Sequence, residues 1–421
     1  MIIDEQKLDK LAELAIKTGV ALQSGQDLLL TAPIEALPLV RRIAVHAYKE
    51  GANIVTPLFS DPEITLSRFN HATDESFDKA PSWLFNGMGE AFDNNTARLA
   101  VVGEDPLLLS NQDPDKVSRV NKATSVAYKP ARERITRFDI NWNIISWPGQ
   151  AWANQMFPDL NSEEAQKKLA NAIFKASRVD TENPIEEWKK HNANLRKWSD
   201  WLNNMDFAYL HFNGPGTNLK VGLAEGHEWM GGASMAQNGI VCNPNIPSEE
   251  VFTTPHCLRV DGEVSATKPL SHQGSLIENI KVKFESGKIT QANATKGEKV
   301  LLKVLDSDEG ARRLGEVALV PDNSPISQTG LLFYNTLFDE NAACHIALGQ
   351  CYTKCFKNQN LTKEEISSQG GNSSMIHIDW MIGSNQIDID GVKQNGDITP
   401  VSYTHLRAHE TKANRGCRLL L

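Results

Sequence analysis

The sequence has few cysteines and no long hydrophobic run. Six cysteines occur in 421 residues and none forms a CxxC pair, which argues against a disulfide framework and a structural zinc knuckle. Reduced, mostly buried thiols are expected. No apolar run approaches the roughly 18 residues that a membrane span needs, and charges interrupt the N-terminal stretch where a signal peptide is apolar. The sequence therefore predicts a cytoplasmic protein without a membrane partner.

Basic charge is also scarce. Lys and Arg number 43 against 52 Asp and Glu, which gives a formal net charge of −9. General nucleic-acid binding needs a basic surface for the phosphates, so no nucleic-acid partner is expected. Hydrophobic residues make up 40% of the chain, and a chain of this length can bury a large core. Two or three globular domains are expected.

Several catalytic and nucleotide-binding motifs are missing. Two glycine clusters carry Leu219 and Phe92 where a dinucleotide fingerprint requires its third glycine. His227-Glu228 does not continue into HExxH, because Gly231 occupies the second histidine position. No GxSxG elbow occurs, so a hydrolase with a nucleophilic serine has no support.

The sequence pattern differs between the two halves of the chain. Residues 1–205 alternate helical and strand-like stretches, such as DLLLTAP, the amphipathic LPLVRRIAVHAYKEGA and then NIVTPLFSDP. This β-α-β order predicts an N-terminal α/β domain with a largely parallel sheet. Residues 206–400 are rich in glycine, turns and short strands, including a hairpin with its turn at 285–287. They predict a C-terminal α+β domain.

The last 21 residues differ from the rest. Residues 401–421 are basic and end in three leucines, and SYTHLRAHET resembles translated sequencing-adaptor sequence. We expect this tail to be non-native. His405, His409 and Cys417 are therefore not candidates for a functional site.

Potential metal ligands are concentrated between residues 249 and 379. His377 and Asp379 lie two apart in SSMIHIDWMIG, a spacing that places both side chains on one side of a strand. Such a pair can offer one nitrogen and one oxygen to a metal, although an exposed polar face is the commoner meaning of this pattern. His345 lies in the apolar stretch ACHIALGQCY, where a core histidine without a ligand role is the alternative.

Glutamates add to this set. Glu249 and Glu250 lie among apolar residues between two prolines, and buried carboxylates need a cation or a proton. Glu316 is predicted to end a helix, DSDEGARRLGEVAL, where an ion pair with Arg312 or Arg313 is the alternative role.

Three glutamates, an aspartate and two histidines in apolar surroundings suit a site for two divalent cations. Carboxylates can bridge two metals about 3.5–4 Å apart. A mixed nitrogen and oxygen ligand set fits zinc, cobalt or manganese better than calcium. Composition and spacing alone leave ordinary solvated charges as an open alternative.

Four motifs resemble those of one known family. They are NPNIPSEEVFTTP, LGEVALVP, LFDENAACHIALGQCY and HIDWMIG, and DGEVSATKPL fits as well. In this order they resemble the thermophilic-type metalloaminopeptidases, the aminopeptidase T family of leucyl-type aminopeptidases. The resemblance runs through residues 1–400. It implies a cytoplasmic exopeptidase that removes N-terminal amino acids, often leucine and other apolar residues, and that forms homodimers.

The resemblance also implies roles for individual residues. Six residues match the family's metal ligands, namely Glu250, Glu316, Glu340, His345, His377 and Asp379. They would hold two divalent ions per subunit, zinc or cobalt in the first place and manganese or magnesium as alternatives, with Glu316 as the bridge. Tyr352 matches a tyrosine that stabilises the tetrahedral intermediate. Glu249, beside a ligand, is our candidate for the general base.

Two other functions remain open on the sequence. One is a two-domain α/β ligand-binding protein without catalysis, in which the acidic residues are ordinary surface. The other is a metal-dependent amidase with the same metal site and a different pocket. The resemblance favours the peptidase, with a catalytic metal-binding domain over residues 206–400 that acts on peptides with a free N-terminus.

Overall fold

The computed structural model describes residues 3–272, 275–358 and 360–402. The chain divides into two compact units. One comprises the chain up to Lys190 together with Ala233–Pro247, and the other comprises His191–Gly232 together with the chain from Ser248. The domain limit expected at residue 205 lies at the end of the helix Pro184–Met205, and the division falls inside this helix.

Most of the suspected tail, residues 403–421, lies outside the described residues, and so do His405, His409 and Cys417. The first two residues of that tail, Val401 and Ser402, instead end a described strand. Ser402 pairs with Ile389 of the neighbouring strand, and Val401 is buried. These two residues therefore belong to the fold of the second unit.

Helices are longest and most frequent in the first half of the chain. The α-helices of the described residues are α1 (Glu5–Leu14), α2 (Leu37–Lys49), α3 (Pro62–His71), α4 (Ser82–Asp93), α5 (Pro114–Thr136), α6 (Gln150–Met156), α7 (Ser162–Ala176), α8 (Pro184–Met205), α9 (Glu298–Leu305), α10 (Thr336–Asp339) and α11 (Lys363–Ser368). Capping side chains fix several helix starts. Asp4, Asp61 and Asn161 each accept backbone amides at the first turn of the helix that follows.

Strands occur throughout and dominate the second unit. Those of the described residues are β1 (Leu28–Pro33), β2 (Val55–Ser60), β3 (Ala97–Val102), β4 (Trp142–Ser146), β5 (Tyr209–Gly214), β6 (Thr217–Leu223), β7 (Met230–Gly231), β8 (Ser234–Met235), β9 (Val241–Cys242), β10 (Val251–Thr253), β11 (Pro255–Ser265), β12 (Leu270–His272), β13 (Ser275–Ile277), β14 (Lys281–Glu285), β15 (Lys288–Asn293), β16 (Leu314–Leu319), β17 (His345–Gly349), β18 (His377–Met381), β19 (Asp388–Val392) and β20 (Ile398–Ser402).

The first unit contains the parallel sheet that the sequence predicts. Its strand order is β2-β1-β3-β4, and all three neighbouring pairs are parallel. The central strand β1 is apolar and mostly buried, as expected for a parallel strand that is covered on both faces. The predicted N-terminal α/β layer is therefore confirmed.

The second unit is built on two larger antiparallel sheets. One has the order β18-β17-β16-β10-β7, and the other has the order β15-β14-β11-β6-β5-β19-β20. The predicted hairpin is present as β14 and β15, and its turn residues Ser286 and Gly287 have φ values of 48° and 80°. Two consecutive positive φ values suit the right-handed twist of a tight hairpin.

The prediction that Glu316 ends a helix is wrong. Residues 309–312 form only a short 3-10 turn, and Glu316 lies in the middle of β16. All six residues of β16 are buried, so the run LGEVAL is a strand covered on both faces. The alternative ion pairs do not form either, because Arg312 binds Asp306 and Arg313 binds backbone carbonyls.

The five-stranded sheet has two chemically different faces. Side chains alternate along each strand, so every second residue shares a face. The core face packs into the main hydrophobic cluster of the unit and carries Val251, Val317, Leu319, Ile346, Leu348, Ile378 and Trp380. The strand registers place Glu316, His345, His377 and Asp379 on the opposite face.

None of the described helices is long and apolar enough to cross a membrane. Five cysteines lie among the described residues, and none of them is in a disulfide. Four of them are buried and Cys257 is half-buried.

Substituting Gly349 with alanine should destabilise the second unit. Gly349 ends β17 with a φ of 102°, and an added Cβ would lie 2.1 Å from the carbonyl oxygen of Ile376. The backbone conformation alone costs about 1–3 kcal/mol for a residue with a side chain, and the overlap adds to it. The free energy of unfolding measured in urea should be lower for Gly349→Ala than for the wild type.

Gly87→Ala is the matched control. Gly87 lies in α4, and no atom of the part of the chain that the structure describes lies within 4 Å of its added Cβ. This variant should be neutral or more stable by about 1 kcal/mol, because alanine favours helix more than glycine does. Equal stability of the two variants would contradict the account of Gly349.

Candidate metal centre

The candidate site lies on one face of the five-stranded sheet. Strands β16, β17 and β18 contribute Glu316, His345 and the pair His377 and Asp379, and Glu250 directly precedes β10. In the register of the sheet, Ala347 lies between Glu316 and Asp379 on the same face. Its small side chain leaves room for the longer carboxylates around it.

A first group of ligand atoms comes from Glu250, Glu316 and His345. Their potential ligand atoms all lie within 4.8 Å of one another. Nε2 of His345 is 3.0 Å from Oε2 of Glu250 and 3.8 Å from Oε1 of Glu316. All three residues are buried.

A second group comes from Glu316, His377 and Asp379. Nε2 of His377 is 3.3 Å from Oε2 of Glu316 and 3.5 Å from Oδ1 of Asp379. Glu316 thus belongs to both groups, with Oε1 facing the first histidine and Oε2 facing the second. A carboxylate shared in this way has the arrangement of a bridging ligand.

Backbone carbonyls orient both histidines. Nδ1 of His345 is 3.1 Å from the carbonyl oxygen of Ala343, and Nδ1 of His377 is 2.7 Å from that of Gln350. A carbonyl can only accept, so each Nδ1 carries a proton, and in its neutral form each imidazole turns an Nε2 lone pair into the cluster. Metal-ligating histidines are typically held in this way.

The cluster needs positive charge. No lysine or arginine among the described residues forms an ion pair with its carboxylates, whose recorded partners are histidines. Burial raises the pKa of Glu250, and burial together with the charges of Glu250 and Asp379 raises the pKa of Glu340 well above its usual value. Burial lowers the pKa of His345, but the neighbouring carboxylates of Glu250, Glu316 and Asp379 outweigh this effect and raise it.

One buried oxygen tests whether the residues fit a cation. Oε2 of Glu250 is buried and has no hydrogen-bond partner of acceptable geometry among the described residues. It faces Nε2 of His345, which is itself an acceptor in the neutral tautomer. A cation or a second proton must therefore lie between the two atoms. The mixed nitrogen and oxygen donors suit a divalent transition metal.

The other expected site residues lie around these groups. Glu340 begins a short 3-10 turn and lies outside both three-residue groups, although its charge acts on the cluster. Glu249 is only 3% exposed, and its amide donates to Oδ1 of Asn341 over 2.6 Å. The ring of Tyr352 lies 4.9 Å from that of His377 and 5.7 Å from that of Phe252.

Two supporting residues were missed by the sequence analysis. His191, on α8, places Nε2 at 2.7 Å from the carbonyl oxygen of Ser248 and at 3.7 Å from Oε2 of Glu249. Asn341 receives the Glu249 amide and donates to the carbonyl of Leu337. Asn341 follows Glu340 directly in the motif ENAACH, which could have drawn attention to it. His191 lies 58 positions before Glu249 and has no local signal.

Burial rules out the interpretation of these acidic residues as ordinary surface. The side chains of Glu250, Glu316 and Asp379 are 9%, 6% and 11% exposed. A largely buried group of carboxylates and histidines with these contacts is the arrangement expected of a metal-dependent protein.

The family of the chain agrees with this class. The chain matches the thermophilic metalloprotease (M29) family over residues 4–404, and it belongs to that family. It is therefore a metalloprotease, a hydrolase of peptide bonds. The family resemblance seen in the sequence is confirmed.

Relatives and a solved structure cover nearly the whole chain. Aminopeptidase T of Thermus thermophilus is 50% identical over 94% of this chain and 97% of its own length. Aminopeptidase 2 of Geobacillus stearothermophilus is 44% identical over 94% of this chain and 96% of its own length. The structure of wild-type AmpT from Thermus thermophilus has a TM-score of 0.90 at 49% identity and covers 94% of this chain and 98% of that chain.

Divalent cations should stabilise the protein, and they should do so less at low pH. A ligand at 100 times its Kd adds about 2.7 kcal/mol to the free energy of unfolding. Burial raises the pKa of Glu250 and Glu340, so protons compete better with the cation as pH falls. The midpoint of thermal unfolding should rise with Zn²⁺ or Co²⁺ after chelator treatment, and more at pH 7.5 than at pH 5.5.

Glu316→Gln is the control for this measurement. The amide removes the charge shared by both groups while the shape of the side chain stays nearly the same. Cations should therefore raise the midpoint of thermal unfolding of this variant much less than that of the wild type. A wild-type midpoint that responds to neither chelator nor cation would contradict the assignment of the site.

Proposed function

We propose that the chain is a metal-dependent aminopeptidase that hydrolyses the N-terminal peptide bond of peptides and prefers leucine and other apolar residues. The observation that carries the proposal is the position of Glu316 between two groups of potential ligand atoms, of which the first is buried and the second is partly exposed. Relatives that are named aminopeptidases support it. The substrates would be peptides with a free N-terminus.

The ligand set is proposed for two divalent ions per subunit. Glu250, Glu316 and His345 would hold one ion, and Glu316, His377 and Asp379 would hold the other. Glu340 would complete the set. Zinc or cobalt suits these nitrogen and oxygen donors best, and manganese or magnesium is the alternative. Bound divalent ions polarise a carbonyl group and acidify water.

Glu249 is proposed as the general base. Its carboxylate accepts the proton of the attacking water and then returns that proton to the leaving amine. The backbone around it is held from two sides, because its amide binds Asn341 and the preceding carbonyl of Ser248 binds His191. This support keeps the carboxylate beside Glu250 while leaving it outside both ligand groups.

Tyr352 is proposed to stabilise the oxyanion of the tetrahedral intermediate. Tyr352 is 37% exposed overall, but desolvation of its hydroxyl and the nearby carboxylates raise the pKa of that hydroxyl, so it stays protonated and can donate a hydrogen bond. The contact of its ring with His377 fixes it at the edge of the site.

The preference for apolar residues is proposed to depend on the aromatic pair beside the ligands. Phe252 lies on the ligand face two positions after Glu250, and its ring contacts that of Tyr352. This pair offers an apolar wall to the side chain of the first substrate residue.

We also propose a homodimer that works in the cytoplasm. Both proposals come from the family resemblance of the motifs. Size-exclusion chromatography with light scattering would test the dimer, and fractionation of source cells would test the compartment.

Leucine p-nitroanilide should be hydrolysed, and its N-acetylated form should not. An aminopeptidase must bind the free α-amine, which acetylation removes. Activity on leucine p-nitroanilide should disappear with chelator and return with zinc, cobalt or manganese. Hydrolysis of the acetylated substrate at a similar rate would contradict the proposal and indicate a metal-dependent amidase.

Glu249→Gln and Glu250→Gln form a matched pair that separates base from ligand. Glu249→Gln should keep its bound metal and lose about 10²–10⁴-fold in kcat, the usual contribution of a general base. Glu250→Gln should lose both metal and activity. Metal content measured by mass spectrometry distinguishes the two, and equal loss of metal would contradict the division of roles.

A further inference from the structure

The strand that carries His377 and Asp379 is an edge strand. Among the described residues, β18 pairs only with β17 in the five-stranded sheet. Edge strands present main-chain N–H and C=O groups that can pair with another extended chain. Here that edge adjoins the candidate metal centre.

The hydrogen-bond pattern shows which groups face outward. Gln350 donates its amide to the carbonyl of Ile376, and Ile382 donates to the carbonyl of Cys344. In an antiparallel pair, hydrogen-bonded residues alternate with residues whose main-chain groups point to the other side. Ile378 and Trp380 therefore bind β17, whereas the N–H and C=O groups of His377 and Asp379 point away from the sheet.

These outward groups are open at one stretch of the edge. Further along, Thr267 donates its amide to the carbonyl of Met381 and its hydroxyl to the carbonyl of Gly383, which covers that end. At His377 and Asp379 no other described residue pairs with the outward main-chain groups, and the amide of Asp379 interacts with its own carboxylate. Both residues are partly exposed, unlike Ile378 and Trp380. Since main-chain groups in folded proteins are almost always paired, the outward groups of these two residues remain available to an added chain.

We propose that the edge of β18 at His377 and Asp379 binds the main chain of the substrate peptide beyond its first residue, as an added strand. This inference rests on the proposed aminopeptidase function. The side chains of the same two residues point to the ligand face, so a peptide that pairs with the edge lies beside the candidate metal ligands. Its N-terminal end must reach these ligands for the first residue to be removed. Recognition through the main chain tolerates many side chains.

If the peptide binds as an added strand, changes at alternate residues of the peptide should have different effects on hydrolysis. Only alternate residues of the peptide point their N–H groups towards β18, and the others point away. N-methylation of a residue that pairs with β18 removes a hydrogen bond, whereas N-methylation of its neighbours does not. Losing one such bond costs roughly fivefold in kcat/KM, since a net hydrogen bond contributes about 1 kcal/mol.

The experiment uses the metal-loaded enzyme and a set of Leu-Ala-Ala-Ala-Ala amides, each N-methylated at one position after the scissile bond. Release of leucine gives kcat/KM for each peptide. We expect losses at alternate positions, with the peptides of opposite parity as internal controls. We also expect kcat/KM to rise from leucine amide to the longer unmodified peptides.

A second measurement observes the strand itself. A peptide whose first amide bond is replaced by CH₂–NH cannot be hydrolysed and serves as the probe. Its binding should slow hydrogen exchange at the amides of His377 and Asp379, while those of Ile378 and Trp380 are protected already.

The outcomes separate this inference from the proposed function. Hydrolysis of leucine amide and of all methylated peptides at equal kcat/KM would overturn the edge site and leave the aminopeptidase in place. Losses without alternation, or unchanged exchange at His377 and Asp379, would also overturn it. No hydrolysis of any free-amine substrate would overturn the proposed function and the edge site together.

Discussion

The structure of the second unit has to compensate the mutual repulsion of buried carboxylates on one face of a sheet. The ligand oxygens of Glu250 and Glu316 lie within 4.8 Å of each other. Two like charges at that distance repel by roughly 3 kcal/mol at the effective dielectric constant of a protein interior. Burial adds a further cost for each charge. The face is stable only with protons or cations, because a neutral histidine whose Nδ1 is protonated has a lone pair at Nε2 and cannot donate a hydrogen bond to these carboxylates.

The opposite face of the same sheet makes this arrangement possible. Valine, leucine, isoleucine and tryptophan side chains pack there into the main core of the unit. Because side chains alternate along each strand, the residues that lie between these apolar positions point to the ligand face. Ala347 and Gly349 lie on that face beside the expected ligands, and their small size leaves space above the sheet. The rigid core thus fixes the backbone that carries four of the expected ligands.

The sequence predicts those features that follow from local period or from long motifs. The pairing of His377 and Asp379 on one strand face, the parallel sheet of the first unit and the hairpin at Ser286 all follow from short-range patterns. Glu316 was misplaced because the charged run DSDEGARR before it resembles a helix. The segment that contains Glu316 is instead a strand in which all six residues are buried. His191 and Asn341 act through contacts with the backbone of Ser248 and Glu249. Such contacts arise only when distant segments are packed together, so spacing cannot reveal them.

The central claim is that Glu316 is shared between two cation sites. Titration of the metal-depleted protein with Co²⁺, followed by visible absorption and by metal analysis after gel filtration, tests it most directly. The account predicts two equivalents of tightly bound Co²⁺ per chain in the wild-type protein, and weakened binding of both in Glu316→Gln. One equivalent in the wild type, or a Glu316→Gln variant that still binds two with unchanged affinity, would contradict it.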